Sequence, residues 1–81
     1  MKYERIRQLR EDKDLSQANI AKLLNVNQRT YSRYENGDHA IPLEALSILA
    51  DFHKVSVDYL LNRTDVKRPY PPAKKRPSIF E

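Results

Sequence analysis

Asn27 to Gly37 reads Asn-Gln-Arg-Thr-Tyr-Ser-Arg-Tyr-Glu-Asn-Gly. Gln28, Arg29, Ser32, Arg33 and Asn36 are hydrogen-bonding side chains, and two of them are fixed cations. A glutamine amide carries a donor and an acceptor side by side, which matches N6 and N7 of adenine; an arginine fork matches O6 and N7 of guanine. Such pairing requires the side chains to share one face of an element that fits a groove. A helix advancing about 100° per residue does this. On it these residues occupy one arc, while Thr30, Tyr31 and Tyr34 occupy the other and can dock on a core, with Thr30 at its edge. An ordinary solvated helix face has a similar composition. The arc alone leaves base reading and plain solvation both open, and its surroundings must decide.

Other chemistry is poorly provided for. His39 and His53 stand apart, with no cysteine in the chain and no acid at ligand spacing beside either. Glu11, Asp12 and Asp14 form an acidic cluster without ligand geometry, which reads as a solvated loop. No serine is paired with a base, so no catalytic residue is assigned. A single glycine excludes a phosphate-cradling loop. No enzyme activity, metal or cofactor is expected.

Eighty-one residues allow one small domain, whose core must be regular and locally driven. No apolar run suits a membrane span and no signal-peptide pattern is present, so a cytoplasmic protein without membrane attachment is the expectation. The net charge is +4, but residues 1–61 carry nine Lys/Arg and nine Asp/Glu. Residues 62–81 carry six Lys/Arg and two Asp/Glu, so the excess lies in the tail. A phosphate-binding face on the folded part therefore depends on local segregation of charge.

The elements that would position the 27–37 arc can be placed from apolar spacing and caps. A first helix over about Tyr3 to Asp12 turns Ile6 and Leu9 inward. Ser16 caps a second, Gln17 to Leu24, with Ile20, Ala21 and Leu24 inside. Asn25 suits a left-handed helix end, Val26 packs inward, and Asn27 caps the third helix. Gly37 suits the left-handed position after it. Pro42 sits near the start of a fourth helix, whose Leu43, Leu46, Leu49 and Ala50 reach inward before Lys54 breaks it near His53. Ser56 caps a short fifth helix, with Asp58 in its first turn and Val57, Leu60 and Leu61 closing the core. No strand signal occurs. From Asn62 onward, Pro69, Pro71, Pro72 and Pro77 alternate with Lys74, Lys75 and Arg76. The expected division is a domain over 1–62 and a basic, Pro-rich, disordered tail over 63–81.

Leu15-Ser16-Gln17, Ile20-Ala21, Leu24, Val26, Thr30-Tyr31-Ser32-Arg33 and Glu35-Asn36-Gly37 together resemble the helix-turn-helix of the Cro/phage-repressor (XRE) family. Ile41-Pro42, Leu46, Leu49-Ala50 and Val55 to Leu61 resemble its helices four and five. The likeness spans residues 3–61 without a gap. At Asn25 and Lys54 the family often has glycine or asparagine, and Lys54 departs from this. It implies an all-α, five-helix lambda-repressor-like domain that binds duplex DNA as a transcriptional regulator, expected to be a repressor. It further implies a homodimer on a palindromic operator, with residues 28–36 as recognition helix. By the same likeness Gln28, Arg29, Arg33 and Ser32 read bases, Gln17, Thr30 and Asn36 meet the DNA backbone, and Arg10 pairs with Glu35. Two other function classes stay open: an antitoxin-like regulator, or an interaction module binding a protein partner through its tail, with Tyr70-Pro71-Pro72 and Ile79-Phe80 as anchors.

Overall fold

The structure, a computed structural model, describes residues 3–71 and 73. It is all-helical: α1 (Glu4–Asp12), α2 (Gln17–Leu23), α3 (Gln28–Asn36), α4 (Leu43–His53) and α5 (Val57–Leu60). Three of the helices start on side-chain caps. The Ser16 hydroxyl accepts from the Asn19 N–H at 3.0 Å, and the Asn19 amide oxygen takes the Ser16 N–H at 2.9 Å, a reciprocal capping box. Asn27 accepts the Thr30 N–H at 2.7 Å, and Ser56 accepts the Tyr59 N–H at 3.0 Å. All five helices are followed by a left-handed residue: Asp14 (φ 56°) after α1, Asn25 (φ 58°) after α2, Gly37 (φ 81°) after α3, Lys54 (φ 57°) after α4 and Asn62 (φ 61°) after α5. Glycine adopts this conformation without a Cβ clash, whereas Asn25 and Lys54 are strained by it.

α2 and α3 pack closely, and α1, α4 and α5 complete the core. Ile6, Ile20, Ala21, Leu24, Tyr31, Tyr34, Leu46, Leu49, Ala50 and Leu60 are buried together with Ala45 and Val55. Leu9, Val26 and Leu61 are partly buried against them. Two residues expected inside are not buried. Leu43 is 85 % exposed and Val57 37 % exposed. The inward stripe of α4 is set by Ala45, Leu46, Leu49, Ala50 and His53. Leu43 stands at its border in the first turn, beyond the packed end. Val57 is likewise the first residue of its helix, and Val55, before the cap, fills the core instead.

His53 is buried with neither ring nitrogen hydrogen-bonded. Burial, and then the charge of Lys13, lower its pKa and keep the ring neutral.

The expected boundary at Asn62 is not marked by a loss of contact. The Ser56 N–H donates to the Lys67 carbonyl at 2.9 Å. Arg5 reaches across from α1: its Nη1 donates to the Tyr59 carbonyl at 2.9 Å and to the Thr64 carbonyl, and its Nη2 to Asp65 at 2.6 Å. The same guanidinium lies 4.1 Å from the centre of the Tyr59 ring. Residues 63–67 thus form a strap on α1 and α5. Composition suggested disorder there because the segment has few apolar groups; it is held instead by backbone carbonyls, which composition does not count. The rest of the expected disordered tail, Pro72 and residues 74–81, lies outside the described residues.

Candidate nucleic-acid interface

α3 is held from behind by one acid. Glu35 is only 2 % exposed, yet it is charged. Arg10 of α1 donates to both its oxygens, from Nε at 2.7 Å and from Nη2 at 3.1 Å. Gln17, the first residue of α2, donates its amide at 3.1 Å. Arg10 Nη1 also donates to the Leu15 carbonyl at 2.8 Å, which ties in the loop between α1 and α2. Burial alone would raise the Glu35 pKa. The hydrogen bonds from Arg10 and Gln17 and the Arg10 charge outweigh it, and the net shift is downward. The Arg10 pKa is raised in turn, chiefly by the bond to Glu35. Tyr31 lies against this carboxylate without a well-formed hydrogen bond of its own. Its phenol is pushed above its ordinary pKa, mainly by burial and then by Glu35, and stays neutral.

The opposite side of α3 is open. Gln28, Arg29, Arg33 and Asn36 are exposed, and Thr30 and Ser32 are half-buried beside them. The face carries an amide at the first turn, cations at the first and second turns, and an amide at the last. It can donate to paired acceptors and neutralise phosphate. Gln17 is half-buried and bound to Glu35, so its side chain is not freely directed outward. Its backbone N–H lies in the first turn of α2, where helix donors have no intrahelical partner. Two contacts at this site join residues that were read apart in the sequence. The Gln17–Glu35 bond has no local signal, because the two residues lie on different helices. The other joins Arg33 Nη1 and His39 Nε2 at 3.3 Å. Its signal is Gly37, whose left-handed turn folds residues 38 and 39 back over the helix end.

A helix-turn-helix family model matches residues 6–60. This chain belongs to the helix-turn-helix proteins of the Cro/phage-repressor (XRE) type. Among relatives, it is 38 % identical over 73 residues to the HTH-type transcriptional regulator AnsR of Bacillus subtilis (strain 168), covering 90 % of this chain and 63 % of AnsR. It is 34 % identical over 61 residues to the cryptic phage CTXphi transcriptional repressor RstR of Vibrio cholerae, covering 75 % of this chain and 55 % of RstR. The chain thus spans less than two thirds of the length of these relatives. The crystal structure of the P22 c2 repressor in complex with synthetic operator 9T has the same fold. It superposes with a TM-score of 0.68 at 31 % identity, covering 75 % of this chain and 92 % of that one. In this XRE-type domain, α2 and α3 are the helix-turn-helix, and no helix among the described residues is long and apolar enough to cross a membrane.

Proposed function

We propose that this XRE-type protein is a sequence-specific transcriptional regulator of duplex DNA, acting as a repressor, that reads the major groove with α3. The observation that carries this reading is the exposed row Gln28, Arg29, Arg33 and Asn36 on a helix locked from behind by Glu35. A groove-reading helix needs this combination: free polar groups in front and fixed orientation behind. Gln28, Arg29, Ser32 and Arg33 meet base edges, Gln28 at adenine and Arg33 at guanine. Thr30 and Asn36 contact the sugar-phosphate backbone. Gln17 contributes its open backbone N–H to a phosphate, while its side chain holds Glu35. The protein works in the cytoplasm as a dimer on paired half-sites. The names of its relatives, regulators and repressors, support the same assignment.

Selection of bound sites from random duplex DNA, followed by binding to single-base variants of the consensus, tests this. Gln28→Ala and Arg33→Ala each lower affinity for the selected site by about 1–3 kcal/mol and each relax one base position. If both variants keep the wild-type order of preference across the panel, α3 is not the reading element. A consensus without two-fold symmetry would remove the dimer.

A further inference from the structure

We propose that His39 is a positioning residue for Arg33, holding its guanidinium in the pose that meets a base; this rests on the reading of α3 as the groove-reading helix. The turn after α3 anchors His39 to Arg33 twice. The Asp38 and His39 N–H groups both donate to the Arg33 carbonyl, at 2.9 and 3.3 Å, around the left-handed Gly37. The His39 ring then returns to the side chain of the same residue, Nε2 facing Arg33 Nη1 at 3.3 Å. A guanidinium has no acceptor, so Arg33 donates and His39 accepts. The contact thus uses the tautomer in which Nε2 carries no proton. The bond uses one of five guanidinium N–H groups and leaves four, enough for the paired acceptors of guanine. His39 also lines a cleft with Tyr3, Ile41 and Leu46.

Both partners are exposed, so their contact adds little to folding. Its effect falls on the freedom of a long side chain. An arginine already held where it will bind loses less on binding than one that sweeps through solvent. A wrong base then meets a fork that cannot swing away to a neighbouring acceptor. His39 thereby sharpens selectivity without touching a base.

The test uses the full chain and its selected operator. Wild type, His39→Ala, His39→Gln, Arg33→Ala and the Arg33→Ala/His39→Ala double variant are measured on every single-base variant of the operator, with thermal melting alongside. His39→Ala lowers discrimination at the position that Arg33→Ala relaxes, by roughly 3- to 10-fold, and leaves other positions and melting unchanged. His39→Gln, whose amide oxygen also accepts, restores most of it. In the Arg33→Ala background His39→Ala has no further effect. If Arg33→Ala relaxes a position and His39→Ala does not, the positioning role is wrong and the reading of α3 stands. Equal weakening at all positions by His39→Ala makes His39 a phosphate contact and also overturns it. If Arg33→Ala relaxes no position, the positioning role falls, and the reading of α3 falls with it only where Gln28→Ala relaxes none either.

Discussion

Glu35 decides how α3 is held. It is the meeting point of side chains from α1 and α2, and its charge survives burial only because Arg10 and Gln17 supply donors. Removing the acid leaves the Arg10 guanidinium, itself only 12 % exposed, without its partner. Glu35→Ala is therefore expected to destabilise the domain by about 1–3 kcal/mol, measured by denaturant unfolding. Arg10→Ala in that background adds less than it does alone, and an additive double-mutant cycle would contradict the coupling. The pH sign follows from the lowered pKa. The contribution of Glu35 is fully present above the ordinary carboxylate value of 4.5 and is lost as pH falls through the lower folded value. Acid unfolding of Glu35→Gln is accordingly shallower than that of the native chain in this window.

At the scale of the helix, Lys54 is the informative departure. It ends α4 in the left-handed conformation at φ 57°, where the side chain of an L-residue crowds its own backbone. Its N–H nevertheless donates to the Asp51 carbonyl at 3.3 Å, so the turn is formed. Lys54→Gly removes the crowding at the expense of a more flexible unfolded chain, and the first effect is the larger. The expected gain is about 0.5–1 kcal/mol, seen as a higher melting temperature with unchanged operator binding. Lys54→Val goes the other way, since a β-branched residue suits this conformation least. If both variants melt with wild type, strain at this position is not a determinant of stability.

Across the whole molecule, the strap of residues 63–67 separates folding from charge. Asp65 is 98 % exposed, so its ion pair with Arg5 contributes little. The carbonyl bonds of Arg5 and of the Ser56 N–H are the parts that hold the segment down. Two truncations distinguish its roles. Ending the chain after residue 62 lowers the melting temperature, because Arg5 and Ser56 lose their partners at Thr64, Asp65 and Lys67. Ending it after residue 73 leaves melting intact but removes Lys74, Lys75 and Arg76. That shorter chain shows a flatter dependence of DNA affinity on salt, with the operator preferred over random DNA as before, since these charges neutralise phosphate without reading bases. Loss of preference in the 1–73 chain would make the distal tail a sequence reader. Equal melting of the 1–62 and full-length chains would remove the strap from the fold.

Much of this architecture is legible in the chain because its signals are short-range. Ser16, Asn27 and Ser56 each accept from an N–H three residues on, and Asn25, Gly37 and Lys54 each end the helix that precedes them. Helical periodicity likewise separates Tyr31 and Tyr34 from Gln28, Arg29 and Arg33, because residues on one helix share a fixed angular frame. Contacts between elements are of another kind. The arrangement of Gln17 on Glu35, Arg5 on residues 59 to 65 and His39 on Arg33 depends on where helices and turns come to rest against one another. No local pattern encodes it, since each side chain has several polar neighbours it could meet. Leu43 shows the same limit for packing: its spacing fits the apolar stripe of α4, yet in the fold it is exposed. Secondary structure and the two faces of α3 were thus determined by the sequence alone; how Gln17 joins Glu35 behind that helix, and what steadies Arg33 in front, was decided by the tertiary fold.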